Sequence, residues 1–222
     1  MPDLLTRTWT CFGLLFAAAP LWAATLELSA VNMDQAALPD VVFQVRSTQG
    51  LTPAERQPSA SIDQRDKQFV PHVLAIDSGT SVTFPNSDNI RHHVYSFSEP
   101  KQFELPLYHG EPAAPVVFDQ PGIVVLGCNI HDNMLAYVVV TPDGWHAVSD
   151  DSGKASIELP AGEYEISFWH PRATTQPLPR SVKVPSDGES VSVRFGVLKP
   201  DPRMSSATTS DNPFKRRAFN AP

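Results

Sequence analysis

Short strand-like segments separated by turn residues follow one another through most of this 222-residue chain. No window shows a sustained apolar period of 3.6 residues, so the pattern argues against long α-helices. The intervening turns, such as Asp77–Gly79, Asn86–Asn89 and Asp119–Gly122, are rich in residues that favour a positive or a preset φ. Regularly spaced short strands of this kind predict an all-β chain built from β-sandwiches. The predicted strands are Leu26–Val31, Val41–Arg46, Val73–Ile76, Ser81–Phe84, His92–Phe97, Val116–Phe118, Ile123–Cys128, Leu135–Thr141, Trp145–Val148, Lys154–Leu159, Glu163–Trp169, Ser181–Val184 and Ser190–Phe195.

The two ends of the chain depart from this pattern. Residues 1–24 contain one basic residue near the start, an apolar stretch over Cys11–Ala19 and small residues at Ala23 and Ala24, the layout of a secretory signal peptide. We expect cleavage near Ala23 or Ala24 and a periplasmic location, with an uncleaved membrane anchor as the alternative. Residues 199–222 have no apolar pattern and are predicted to form a disordered tail.

The net charge of the chain bears on whether it binds nucleic acid. The chain has 17 basic and 24 acidic residues, a formal net charge of -7, so it has no overall positive field to attract nucleic acid. No apolar run reaches the length of about 18 residues that a transmembrane helix needs. We therefore expect neither a nucleic-acid partner nor a membrane span in the mature protein.

The small number of cysteines bears on the role of Cys128. The chain has two cysteines, and removal of a signal peptide takes Cys11 away and leaves Cys128 without an intramolecular partner. Thiols of exported proteins are normally paired. An unpaired Cys128 therefore indicates an intermolecular disulfide, a reactive thiol or a bond to a metal.

The neighbours of Cys128 favour the metal. His131 and Met134 follow it at intervals of three residues, and the pair His92 and His93 opens an earlier predicted strand. Copper that changes between +1 and +2 prefers a thiolate and imidazoles with a weak axial thioether. Zinc seldom uses methionine, and iron–sulfur clusters need more cysteines than this chain has. Because adjacent side chains of a strand point to opposite faces, only one histidine of the pair is expected to take part.

The stretches Phe69–Asn86, Arg91–Val94 and Phe118–Gly122 surround these residues. Together with the loop after Cys128 they make the segment from about 62 to 141 resemble a cupredoxin, the domain of type 1 blue-copper proteins. His92–Phe97 and Phe103–Tyr108 add a similarity to bacterial proteins that carry the name methylamine utilisation protein. The resemblance implies a Greek-key β-sandwich that binds one mononuclear copper ion.

The resemblance also implies a ligand set. His92 matches the first ligand of the family, and Cys128, His131 and Met134 match the other three. Two residues separate Cys128 from His131 and two separate His131 from Met134, as in amicyanin, whereas plastocyanin has a longer last gap. His93 then stands beside the site, where it would support the ligand loop without binding the metal.

A second resemblance concerns the C-terminal half. Asp150–Phe168 resembles carboxypeptidase-regulatory or transthyretin-like β-sandwich modules, whose usual opening strands have a match only at Leu26–Arg46. We therefore hypothesise that a cupredoxin domain, 58–140, is inserted into a second sandwich made from 25–57 and 141–198. In the alternative arrangement, the two domains follow in series and the N-terminal strands join the cupredoxin sheet.

The predicted function is one-electron transfer in the periplasm. The expected partner is a redox protein such as a c-type cytochrome or a periplasmic dehydrogenase, and no enzymatic activity is expected. Copper delivery or metal-site assembly would use the same ligands and is the alternative. A metal-free interaction module that keeps only the fold is a third interpretation.

Overall fold

The computed structural model describes residues 23–53, 58–112, 114–142 and 144–204. Residues 1–22 of the predicted signal peptide (1–24) and residues 205–222 of the predicted tail (199–222) lie outside this part of the chain. The described residues form seventeen strands and one 3-10 turn. No helix among them has the length and apolar character that crossing a membrane requires. The prediction of an all-β fold is confirmed. The elements are β1 (Ala23–Val31), β2 (Val42–Ser47), β3 (Ser59–Ser61), β4 (Asp63–Arg65), β5 (Gln68–Val70), β6 (Val73–Asp77), β7 (Thr80–Thr83), β8 (His92–Ser98), β9 (Lys101–Tyr108), β10 (Val116–Phe118), β11 (Gly122–Gly127), β12 (Leu135–Thr141), β13 (Trp145–Val148), β14 (Lys154–Pro160), β15 (Gly162–Trp169), β16 (Arg180–Val184), β17 (Glu189–Arg194) and the 3-10 turn Pro202–Met204.

One apolar core lies between strands from distant parts of the sequence. β1 is the middle strand between β14 and β17, and β2 lies between β13 and β15 in a four-stranded sheet that ends with β16. Alternate side chains of β1, including Leu26 and Leu28, point inward and are almost fully buried. They share this core with Phe43 of β2 and Phe168 of β15, whose rings lie edge to face with centroids 6.0 Å apart. Among the described strands, β1 and β2 therefore pair with partners beyond residue 141.

The strands between residues 59 and 141 enclose a second core. A three-stranded sheet has the order β10-β7-β3, and a five-stranded sheet has the order β6-β12-β11-β8-β9. Val94, Val124, Leu126 and Val138 of the larger sheet are fully buried in this core. Because a shift of one residue would turn these side chains to the opposite face, their burial fixes the register of the strands. The same register decides which side chains lie at the end of the sheet.

The two cores meet through a small apolar contact. Val42 of β2 is buried in a small cluster with Val139, on the outer face of β12. Trp169 lies edge-on to Tyr137, with ring centroids 5.5 Å apart. This contact lies on the outer face of the five-stranded sheet. It covers β6 and β12, which are at the opposite edge of that sheet from β8 and β9.

The first residues of the predicted tail lie against the body of the protein. The Lys199 N–H donates to the Arg172 carbonyl at 2.7 Å. The Arg203 guanidinium donates to both carboxylate oxygens of Asp201, at 3.0 and 2.7 Å, and lies 3.8 Å from the Asp40 carboxylate. The folded body therefore continues past the predicted start of the tail.

We expect the metal-free protein to lose stability on acidification because of His170. Its buried ring packs against Phe195, and its Nδ1 accepts a hydrogen bond from the Arg172 N–H at 3.3 Å. Burial, followed by the Arg172 charge, lowers the pKa of His170 to about 4. The unfolded chain takes up this proton already below a pH of about 6.5, so stability is lost as the pH falls from about 6.5 to about 4, by at most about 3 kcal/mol.

Urea unfolding at about pH 7 and about pH 4.5 measures this effect. The free energy of unfolding should fall less steeply with acidification in His170→Asn than in the wild type. Parallel pH profiles of the two proteins would contradict the assignment.

Candidate metal centre

Three adjacent strands bring the predicted ligands to one end of the five-stranded sheet. β8 begins with His92, whereas β11 ends at Gly127, directly before Cys128. Because these two strands are antiparallel neighbours, the start of one and the end of the other meet at the same edge. The loop after Cys128 carries His131 and Met134 and leads into β12, the other antiparallel neighbour of β11.

A thiol and two imidazoles converge at this edge. Donor atoms of His92, Cys128 and His131 all lie within 4.8 Å of one another. The Cys128 Sγ is 3.9 Å from the His92 Nδ1, and the centroids of the two histidine rings are 5.0 Å apart. His92 is fully buried, Cys128 and Met134 are each 1% exposed, and His131 is partly exposed. Met134 belongs to the same core cluster as Cys128, and its N–H donates to the His131 carbonyl at 3.0 Å.

The two neighbouring histidines face opposite sides of β8. His92 is buried on the same side as Val94, as strand alternation requires. His93 lies on the other side, where its Nε2 is 3.0 Å from a carboxylate oxygen of Glu104 on β9. The structure therefore brings His92 to Cys128 and keeps His93 out of the group.

Asp88 holds the far side of the His92 ring. Its carboxylate lies 2.7 Å from the His92 Nε2 and accepts the backbone N–H groups of Asp66 and Lys67 at 2.7 and 2.9 Å. Burial alone would raise the pKa of Asp88, but hydrogen bonds from Lys67, His92 and Asp66 hold it below its ordinary value. The charged carboxylate therefore accepts a hydrogen bond from Nε2, and the Nδ1 of His92 faces Cys128.

His131 contributes a nitrogen that needs a partner. Its Nδ1 is buried and makes no hydrogen bond within the described part of the chain. Burial, followed by the His92 ring and the Lys67 charge, lowers the pKa of His131, which favours the neutral imidazole. A buried polar atom without a partner in the protein is uncommon and indicates a missing ligand or water.

The donor set fits copper. Cys128 and two imidazoles converge, and the buried Met134 of the same core cluster carries a thioether; donors of these types suit both copper oxidation states. The orphaned nitrogen of His131 belongs to the same group. The chemistry of these residues thus fits copper.

Other histidines make separate contacts. The His72 Nδ1 lies 3.0 Å from the Leu135 carbonyl oxygen, and the His146 Nε2 lies 3.6 Å from the Asp77 carboxylate. Burial lowers the pKa of both His72 and His146. Within the residues that the structure describes, no second cluster of three histidine, cysteine or carboxylate ligands has comparable spacing.

Comparison with known proteins gives partial similarities. No model of a known protein family matches the chain, and no curated protein matches it. Solved structures that are similar to part of it include several copper proteins.

A Cu-containing nitrite reductase from Thermus scotoductus is 30% identical, with a match that covers 41% of this chain and 24% of the reductase at a TM-score of 0.35. A purple cupredoxin from Nitrosopumilus maritimus is 24% identical over 37% of this chain and 99% of its own, at a TM-score of 0.33. The reduced Cu(I) form of an amicyanin mutant is 20% identical over 44% of this chain and 91% of its own, at a TM-score of 0.34. The similarity is thus to less than half of this chain, and to about a quarter of the reductase.

Proposed function

We propose that this chain is a periplasmic type 1 copper protein that carries single electrons between redox partners. The observation that carries the proposal is the convergence of His92, Cys128 and His131 at the edge of a core cluster that also contains the buried Met134. Bound copper would supply a one-electron change between +1 and +2. The protein supplies the donors, their orientation and their protection from water.

Packing and hydrogen bonds within the protein hold the donors in position without a metal. His92 is held by β8 on its backbone side and by Asp88 at its Nε2. The near-complete burial of Cys128 and Met134 shields the sulfur atoms from water. Donors that packing and hydrogen bonds already hold in place need little rearrangement when the charge at the centre changes.

His131 and its surroundings support a contact point for the partner. It is the partly exposed member of the group, and the adjacent Ile130 is 48% exposed. Transient redox encounters bury less than about 1,200 Å² in total, so a small surface around this residue is sufficient. We propose that a c-type cytochrome or a periplasmic dehydrogenase binds at this end of the sheet.

We also propose a domain arrangement and the absence of an enzymatic reaction. Pairing of β2 with β13 and β15 supports a copper domain, 58–140, inserted into a sandwich formed by 25–57 and 141–198. Four protein donors around one ion would leave no open position for a substrate.

Copper titration followed by electron exchange tests the function. We expect the purified protein to bind one equivalent of cupric ion with an intense visible band, and to lose and regain this band on repeated reaction with reduced and oxidised cytochrome c. Failure to bind copper would contradict the proposal. Transfer of the copper to a metal-free acceptor protein during the first cycles would instead favour a delivery role.

The histidine pair gives a sharper test with its own control. We expect His92→Ala to remove the visible band, because it takes away a donor 3.9 Å from the Cys128 Sγ. His93→Ala should keep the band, because His93 contacts Glu104 on the outer face of the sheet. Absorption spectra of both variants after addition of one equivalent of copper measure the difference. Loss of the band in His93→Ala with retention in His92→Ala would reverse the assignment.

A further inference from the structure

Asp88 links the candidate metal centre to an unusual turn. The turn between β4 and β5 consists of Asp66 and Lys67, which both have positive φ, at 53° and 58°. This conformation is unfavourable for residues with a side chain, most of all for Lys67. The Asp88 Oδ1 accepts the N–H of Asp66 and its Oδ2 accepts the N–H of Lys67. The carboxylate thus stabilises the turn with the same group that contacts His92.

The contact with His92 determines which ring nitrogen carries the proton. A carboxylate that is charged offers only acceptors, so the ring must donate through Nε2 across the distance of 2.7 Å. The lone pair then remains on Nδ1, the atom that lies 3.9 Å from the Cys128 Sγ. Asp88 and Cys128 therefore face opposite nitrogens of a fully buried ring.

We propose that Asp88 is the positioning residue of this centre: it holds His92 in the Nε2–H tautomer and, through its negative charge, makes the ring a stronger donor that favours Cu(II) over Cu(I). This inference rests on the copper function proposed above. Carboxylate partners of ligating histidines raise the basicity of the ring and fix its orientation. The two backbone hydrogen bonds also fix the position of the Asp88 carboxylate when no metal is bound.

Asp63 provides a matched control. Its carboxylate also lies in this region and is partly buried, and it accepts hydrogen bonds from Ser87 and from the Gln64 N–H. Asp63→Asn and Asp88→Asn therefore remove the same charge from neighbouring positions, but only Asp88 contacts His92. Asp88→Ala removes the acceptor altogether.

The first measurement needs no copper. Nitrogen-15 NMR of the metal-free protein reports the tautomer of His92, which we expect to be Nε2–H in the wild type and in Asp63→Asn, and mixed or Nδ1–H in Asp88→Ala. An unchanged Nε2–H tautomer in Asp88→Ala would overturn the positioning role. Because this result is independent of metal binding, it stands even if the wild type binds no copper, an outcome that would instead contradict the proposed function.

The second measurement uses the copper-loaded proteins. We expect Asp88→Asn to lower the cupric affinity by about 10- to 100-fold. Its Cu(I)/Cu(II) equilibrium should shift about tenfold towards Cu(I), which is 59 mV for one electron. Asp63→Asn should shift both quantities much less. Equal shifts in the two variants would reduce the role of Asp88 to that of a nearby charge and overturn the donor-strength part of the proposal.

Discussion

Replacing Cys128 by serine will abolish the intense visible absorption of the copper-loaded protein. The band requires a thiolate bound to copper, and Cys128 supplies the one cysteine sulfur in the described part of the chain. Serine offers a harder and much weaker donor at neutral pH, so the cupric affinity should fall by more than about 100-fold, beyond the usual effect of losing an outer hydrogen-bonding partner. Absorption spectra and competition with a copper chelator measure the two effects.

A control is needed because serine also places a hydroxyl group in an apolar core. Ala136 on β12 is fully buried in the same core cluster, so Ala136→Ser introduces the same group and leaves the sulfur in place. We expect Ala136→Ser to retain the visible band when copper is bound. A band of unchanged intensity in Cys128→Ser would contradict the copper site as proposed here.

Phe43→Ala will lower the free energy of unfolding by about 3–5 kcal/mol. Phe43 is fully buried on β2 and packs edge to face against Phe168, so its removal leaves a cavity in the first core. Trp145 and Trp169 lie on β13 and β15, the two neighbours of β2. Urea unfolding monitored by tryptophan fluorescence therefore reports on the damaged region.

Phe84→Ala is the matched variant in the second core. Phe84 is also fully buried, but it lies in the cluster that contains Cys128 and Met134. We expect Phe84→Ala to lower the melting temperature of the visible copper band more than Phe43→Ala does, and Phe43→Ala to have the larger effect on tryptophan fluorescence. If Phe43→Ala left the fluorescence transition in place and weakened copper binding instead, the proposed division into two domains would be wrong.

The fold class could be predicted because local patterns specify short strands well. Alternating burial along β1 and β15 follows directly from alternating apolar residues in the sequence. β9 was not predicted, since Lys101–Tyr108 contains two charged residues and a proline that hide the alternation. Its position at the edge of the five-stranded sheet explains why a proline is tolerated there.

The pairing of distant strands was harder to predict. The sequence allowed β2 to join either sheet system, because its apolar residues fit any half-buried strand. In the structure β2 pairs with β13 and β15. Such a choice depends on how whole sheets pack against each other, which no local pattern contains.

The residues of the candidate metal centre differ in how readily they can be identified from the sequence. Cys128, His131 and Met134 share one loop, and strand alternation separates His92 from its neighbour. Asp88 was assigned only to a turn, because its contact with the His92 ring depends on the path of the chain around it. A carboxylate four residues before a ligand histidine is a signal that could have identified it.

The central position of β1 constrains the order in which the molecule is assembled. β1 is the first of the described strands in the sequence, but its partners β14 and β17 lie within residues 154–194. The second core needs no residue beyond 141, so it is able to close while the first remains incomplete. During folding, β1 must therefore find partners more than a hundred residues away in the sequence, a long-range closure that slows folding and leaves an unpaired strand that favours aggregation.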